Sequence, residues 1–183
     1  MTSDFYAKLA AVRRRIHAHP EISENEFETT AFLKEYISKL GIRILETDLP
    51  TGFIAEIGHG KPVIALRADI DALPIKEKNT FDYASQNGAM HACGHDFHQT
   101  SLLGAAEILK AKEEQLKGTV RLIFQPAEEV SVGAYQVIEN GGLKDVSAII
   151  GYHNYPHLKP GEIGLRSKAI MAAVDKFKVT VSG

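Results

Sequence analysis

Pro62-Val63-Ile64-Ala65-Leu66-Arg67 is the stretch on which the fold turns. It is short and nearly all apolar, and it runs straight into charge at Asp69. A run of that kind is a strand covered on both faces, as in a sheet with helices packed above and below. Towards the N-terminus the same reading finds strands at Ile42-Arg43-Ile44-Leu45 and from Gly52 to Gly58. Two helical patterns precede them. Phe5, Leu9, Val12 and Ile16 recur at helical spacing up to His19-Pro20, where proline restricts the residue before it. A second helix is predicted from about Ser23 or Asn25, with Phe27, Ala31, Phe32, Tyr36, Ile37 and Leu40 on its apolar face and Gly41 as its stop.

Towards the C-terminus a loop from Asp69 to Met90 leads to a helix predicted over Thr100–Leu116. Leu102, Leu103, Ala106, Leu109 and Ala111 lie on or near its buried side. Gly118 ends it, and Thr119 to Phe124 follows as another apolar strand. Gly133 to Asn140 reads as a short helix closed by Gly141-Gly142, and Ser147 to Tyr152 as a further buried strand. Strands alternating with helices through short connections argue for an α/β sheet flanked by helices. From Gly161 onward, Ile163 and Leu165, then Phe177, Val179 and Val181, suggest exposed, alternating strands.

The composition is that of an ordinary globular chain: 183 residues, 44% hydrophobic and 24% charged. This length suits one domain, or one domain and a piece of another. A net charge of −2 offers no field for nucleic acid. The single cysteine, Cys93, excludes an intrachain disulfide and fits a reducing compartment. The first helix carries Lys8, Arg13, Arg14 and Arg15 and lacks the apolar core of a secretory signal. Other apolar runs fall well short of the about 20 residues that span a bilayer. A cytoplasmic protein is the expectation.

Chemistry gathers in Met90-His91-Ala92-Cys93-Gly94-His95-Asp96-Phe97-His98, which holds three of the eight histidines and the cysteine. Thiolate, imidazole and carboxylate are the usual ligands of zinc and its first-row neighbours. In an extended backbone, Cys93 and His95 would point to one side and grip one metal. The bland alternative is a buried free cysteine beside surface histidines. A closed structural zinc site would want several cysteines, and a cysteine nucleophile would need its own base and oxyanion hole.

Gln125-Pro126-Ala127-Glu128-Glu129 follows a buried strand, where ligands bind in open α/β sheets. In extended backbone the neighbouring carboxylates diverge, so that Glu129 can bind metal while Glu128 leans over the water to be activated. The alternative is a solvated Glu-Glu pair at a helix start, where acids are favoured anyway. His153, in Gly151-Tyr152-His153-Asn154-Tyr155-Pro156-His157, and the acids of Arg67-Ala68-Asp69-Ile70-Asp71 also stand at strand ends. A lone histidine there is more often a satisfied loop residue, but several strand ends supplying metal-type groups make a stronger case than any one.

Taken in order, His17-Ala18-His19-Pro20-Glu21, Arg67-Ala68-Asp69 to Pro74, His91 to His98, Gln125 to Glu129 and Gly151 to Pro156 resemble one family. It is the amidohydrolase branch of the aminoacylase/carboxypeptidase metallopeptidase superfamily, with N-acyl-L-amino-acid amidohydrolases, hippurate hydrolases and auxin-conjugate hydrolases. The resemblance covers essentially the whole chain and corresponds to the N-terminal portion of family members. It implies a two-metal hydrolase of the amide bond in N-acyl amino acids or small peptide-like conjugates, using Zn, Mn, Co or Ni. By motif, Cys93, His95, Glu129 and His153 match metal ligands and Glu128 the general base. Asp69 matches the aspartate of the superfamily's His-x-Asp motif. Arg67 stands where that motif has its histidine, so Arg67 is not expected to bind metal and Asp69 is placed behind the ligands.

The resemblance also implies a three-layer α/β/α metallopeptidase-like catalytic domain, incomplete and occupying 1–173. Residues 174–183, with a strand over Val174–Val181, would begin an inserted dimerisation and lid domain. Four of five family ligands are then present and a final histidine is not. The full-length enzyme is expected to be a homodimer acting on a small-molecule substrate, without nucleic acid or membrane. Two readings follow: an active hydrolase seen as a fragment, or an inactive, truncated metal-binding remnant. This chain alone is expected to bind metal and to show little or no amidase activity.

Overall fold

The structure is a computed structural model that describes residues 2–173, 175 and 177–182. In chain order it contains α1 (Ser3–Ala18), α2 (Phe27–Lys39), β1 (Arg43–Ile44), β2 (Phe53–Gly58), β3 (Val63–Asp69), α3 (His95–Lys110), β4 (Thr119–Gln125), α4 (Gly133–Glu139) and β5 (Val146–Gly151). The strands form one mixed sheet in the order β1-β2-β4-β3-β5. β3 pairs parallel with β4 and with β5, whereas β2 runs antiparallel to β4 and β1 antiparallel to β2.

Period-two alternation divides the strand side chains between two cores. Phe53, Ala55 and Ile57 of β2, Leu122 and Phe124 of β4 and Ala68 of β3 face α1, α2 and α3, where Leu33, Ile37, Leu102, Leu103 and Ala106 meet them. Phe53 and Phe124, paired across the two strands, stack with ring centroids 4.5 Å apart. Ile54, Ile123 and Ala65 face the other way and pack with Leu49 and with Val137 of α4. The expected three layers are present, with helices on both sides of the strands. Among the described residues, no helix is long and apolar enough to cross a membrane.

The connections explain the layering. From β3 the chain passes through α3 to β4; from β4 it passes through α4 to β5, on the opposite side of β3. Right-handed crossovers leading in opposite directions put their helices on opposite faces of a sheet. The two loops leaving β3 and β4 therefore part, and a crevice opens between them at the carboxyl ends of these strands.

The helix predicted over Thr100–Leu116 begins instead at His95 and ends at Lys110, with a separate 3₁₀ turn at Glu113–Gln115. Its first turns are polar, which disguised them as loop, but His95, Asp96, His98 and Gln99 are all buried. Helix α2 starts at Phe27, after Ser23 and Asn25. Glu21 serves its start from outside by accepting the N–H groups of Glu28 and Thr29. The strands expected around Ile163–Leu165 and Val174–Val181 are not formed by the described residues, and Val174 and Lys176 lie outside these. Leu165 and Val181 are about nine-tenths exposed. Without a neighbouring strand, alternation alone does not make a ladder.

Leu103 is fully buried where α3 meets the sheet. Leu103→Ala is expected to lower unfolding stability by about 2–5 kcal/mol, read as a lower urea midpoint at unchanged slope. β5, expected to be buried, is an edge strand exposed from Ser147 to Gly151, so Ile149→Ala on half-exposed Ile149 should stay within about 0.5 kcal/mol of wild type.

Candidate metal centre

Three strand ends and one helix start converge on the crevice. β3 delivers Asp69 and Asp71, β4 leads to Glu128 and Glu129, β5 to His153, and α3 opens with His95 directly after Cys93 and Gly94. The register sets their common height, since Asp69 pairs with Gln125 across β3 and β4, and Arg67 with Gly151 across β3 and β5.

All five residues singled out from the sequence meet here. Donor atoms of Cys93, His95 and His153 lie within 4.8 Å of one another, and so do those of His95, Glu128 and Glu129. Cys93 Sγ is 3.2 Å from His153 Nε2. His95 Nε2 is 3.7 Å from Glu129 Oε1 and 3.9 Å from Glu128 Oε2. Both histidines are tied at their other nitrogen to a main-chain carbonyl. His95 Nδ1–H donates to the Asp71 carbonyl (2.9 Å) and His153 Nδ1–H to that of Asn154 (2.7 Å). With Nδ1 so occupied, each ring turns its Nε2 into the same space, the usual preparation of a metal-binding imidazole.

The donor set fits a divalent cation. His95 Nε2 and Glu129 Oε1 are buried without a hydrogen-bond partner. Buried polar atoms are almost always paired, because an unpaired one forfeits its hydration. Two such atoms facing each other, beside a thiol and a second imidazole, make an N, O and S donor set of the kind that holds a divalent cation.

The route to this arrangement differs from the extended backbone expected. Gly94 sits between Cys93 and His95 with φ +89°, in the left-handed region, and caps α3. Cys93 therefore ends a turn while His95 opens the helix. Glu128 and Glu129 likewise occupy a turn after Ala127 (φ +46°). That turn is held by Glu26, which is fully buried and accepts the Ala127 N–H (2.7 Å) and the Thr51 hydroxyl (2.7 Å).

Sequence reasoning assigned no role to Glu26 or Asn154, and counted Asp71 and His98 only among the metal-type groups of their segments. Asp71 Oδ2 accepts the Glu129 N–H (3.0 Å) and the Ser23 hydroxyl (2.6 Å), so this residue orients both His95 and Glu129. Its place in Asp69-Ile70-Asp71 was the available signal. Asp69 receives Arg67 Nη1 (2.6 Å) and His98 Nδ1 (2.7 Å), and Arg67 also donates to Gln125. Arg67 thus spends its Nε and Nη1 on Gln125 and Asp69. Asp69 Oδ2 lies 3.7 Å from His95 Nε2, and the donor atoms of Asp69, His95 and His98 form a third group within 4.8 Å of one another.

The charges are arranged for a cation. Burial works against the Asp69 carboxylate, but the His98 hydrogen bond and the charges of His95 and Arg67 hold its pKa down at about 2. Burial and the neighbouring carboxylates of Glu129, Glu128 and Asp69 push the Cys93 thiol up to about 12. A bound cation reverses that effect, because thiolate is the ligating form. Glu128 is raised above the ordinary glutamate value, first by burial and then by Asp69 and Glu129.

Residues 65–182 match peptidase family M20/M25/M40. The chain belongs to this family. It is 54% identical over 179 residues to an N-acetyl-L-cysteine deacetylase of Bacillus subtilis, a match covering 96% of this chain and 43% of that protein. It is 41% identical over 177 residues to an N-acyl-L-amino acid amidohydrolase of Geobacillus stearothermophilus, covering 94% and 48%. An IAA-amino acid hydrolase of Arabidopsis thaliana, ILR1-like 5, is 45% identical over 182 residues, covering 98% and 42%. Among solved structures, Bacillus subtilis YXEP, described as a dinuclear metal-binding peptidase of the M20 family, superposes with a TM-score of 0.83 at 50% identity. That superposition covers 86% of this chain and 45% of YXEP. The chain spans less than half the length of these relatives.

Behind the centre of this M20 chain lies a second buried polar group. His17, near the end of α1, is 2.8 Å from Asp96 Oδ2 through Nδ1 and 3.0 Å from Glu77 Oε1 through Nε2. Arg13 Nε also donates to Asp96 (2.7 Å), and Glu77 accepts the Ser85 N–H (2.5 Å). Asp96 follows His95 directly, so the network ties the first turn of α3 to α1 and to the loop before it. The Asp96 hydrogen bond raises the His17 pKa against the effect of burial, with Glu77 adding to it.

Folded His17 therefore holds its proton to higher pH than unfolded His17, whose pKa is about 6.5. Its contribution is fully present below that value and is lost as pH rises through the folded pKa. Stability of the chelator-treated chain should fall across that window. His17→Gln should be less stable at pH 6 and show a flatter decline, measured by urea unfolding from pH 6 to 9.

Proposed function

We propose that this chain carries the metal-binding and proton-transferring part of an enzyme that hydrolyses the amide bond in N-acyl amino acids. The observation that carries the reading is the pair of buried, unpartnered atoms His95 Nε2 and Glu129 Oε1, with Cys93, His153 and Glu128 around them. The substrate class is supported by the names of the relatives, which concern acetylated cysteine, acyl amino acids and an auxin–amino acid conjugate.

In this reading Cys93, His95, Glu129 and His153 hold the metal, and Glu128 is the general base. Divalent ions such as Zn, Mn, Co or Ni, when bound, polarise the amide carbonyl and lower the pKa of water. The chain's own residues do the rest. Glu128 is partly exposed at the mouth of the crevice, and its raised pKa suits a group that must both accept and release a proton. Glu128 takes the proton from the attacking water and delivers it to the leaving nitrogen, so that carboxylate and free amine are the products. Asp71 fixes the His95 ring and the Glu129 main chain, and Glu26 fixes the turn that aims Glu128.

The test uses a polypeptide extended to the length of the relatives. Elemental analysis should find divalent metal, and a panel of N-acetyl and N-benzoyl amino acids should be hydrolysed. Absence of metal and of turnover in that polypeptide would overturn the reading. Glu128→Gln should keep the metal content and lose about 10²–10⁴-fold in kcat. Unchanged turnover would remove Glu128 from the role of base.

A further inference from the structure

His153 is the exposed member of the candidate ligand set, on a segment that leaves an edge strand and whose described residues beyond Gly151 form no helix or strand. An exposed histidine on such a segment loses side-chain and main-chain freedom when it binds, unless something holds it beforehand. Asn154 meets that need with each of its polar ends. Its carbonyl accepts His153 Nδ1–H (2.7 Å), which fixes the ring and its tautomer. Its N–H lies 3.1 Å from His98 Nε2, and its side-chain Oδ1 lies 2.5 Å from the same nitrogen. With Nδ1–H given to Asp69, His98 Nε2 accepts the Asn154 N–H, and it accepts the side chain too once the amide is turned to present Nδ2–H.

His98 is a firm anchor. It is buried on α3, its Nδ1–H is bonded to Asp69 Oδ1 (2.7 Å), and its ring lies against that of His153 with centroids 4.6 Å apart. The amide of Asn154 also rests on Gly94, the residue between Cys93 and His95. A Cβ at position 94 would fall 2.3 Å from Asn154 Oδ1 and 2.7 Å from its Cγ. One side chain thus spans the turn that carries Cys93 and the loop that carries His153.

We propose that Asn154, braced by His98 and Gly94, is a positioning residue that holds His153 in reach of Cys93 and so prepares their shared side of the metal centre. It touches no reacting atom; it acts through His153. The proposal rests on the metal-centre reading above, and its test separates the two.

The test is a Co²⁺ titration of the 183-residue chain, followed by visible and near-ultraviolet absorption, with Cys93→Ser and His153→Ala as references. Cys93→Ser should lose the thiolate-to-cobalt charge-transfer band. His153→Ala should keep the band and change the ligand-field region. Asn154→Ala should follow His153→Ala in spectrum and lose about 10–100-fold in Co²⁺ affinity, while its metal-free urea midpoint stays at the wild-type value. His98→Gln should do the same, and the double variant should lose no more than the worse single one, because both act through one contact. If one single variant fails to fold, the other carries the same comparison with wild type.

Wild-type affinity and spectrum in Asn154→Ala, with a normal wild-type titration, would overturn the positioning role and leave the metal centre intact. A drop in metal-free stability that accounts for the whole loss of affinity would also overturn it, in favour of a merely structural role. If the wild-type chain shows no thiolate-to-cobalt band, the metal-centre reading fails and this proposal fails with it.

Discussion

A buried imidazole nitrogen and a buried carboxylate oxygen that face each other without partners are the constraint around which this structure is arranged. His95 Nε2 and Glu129 Oε1 have lost water and gained no hydrogen bond. Leaving such groups unpaired is costly, so the surroundings must hold them against collapse into other contacts. Asp71 does this for both at once, binding His95 through its carbonyl and the Glu129 N–H through its carboxylate. Ser23 in turn occupies the same carboxylate oxygen. Glu26 performs the equivalent task one turn away, where its carboxylate captures the Ala127 N–H. These acids are spent on geometry, which leaves Glu128 as the carboxylate free to face the mouth of the crevice.

The sheet explains why such distant residues can be held to this tolerance. The candidate donors come from positions between Cys93 and His153, yet each stands at the start of α3 or within a few residues of the end of β4 or β5. The parallel registers of β3 with β4 and with β5 bring Asp69, Gln125 and Gly151 to neighbouring heights. A slip of one residue in either pairing would turn every side chain on that strand to the opposite face. It would also break the division between Leu122 and Phe124 in one core and Ile123 in the other. The hydrophobic pattern that secures the register therefore secures the donor set as well.

The order of strands and helices was legible in the sequence because it rests on period and punctuation. Phe53 to Gly58, Val63 to Asp69 and Thr119 to Gln125 are strands with the expected limits to within a residue or two. The start of α3 was not legible. His95, Asp96, His98 and Gln99 look like loop residues, and they are helical because each is buried with a partner that comes from another part of the chain or faces the crevice. The residues brought together at the site could be named in advance from chemistry at strand ends. Their supports could not, because Glu26 finds Ala127 and His98 finds Asn154 only through the tertiary fold. The exposed apolar residues after Gly161 mark the opposite failure. Alternation there finds no neighbouring strand among the described residues, and these form no ladder.

The left-handed Gly94 joins these levels. It allows the chain to end one turn at Cys93 and begin α3 at His95 with itself as the single residue between, which an extended backbone could not do. The cost of a left-handed φ at a residue with a side chain is one reason for glycine here. Space is the other, because the Asn154 amide already occupies the place of a Cβ. Cys93 and His95 therefore diverge in role as well as in direction. The thiol meets His153 near the surface, and the imidazole meets Glu129 in the interior. A metal centre assembled on this frame has a buried side whose geometry the core enforces. Its outer side is enforced through Asn154, which joins the loop of His153 to the buried His98 of α3 and to Gly94.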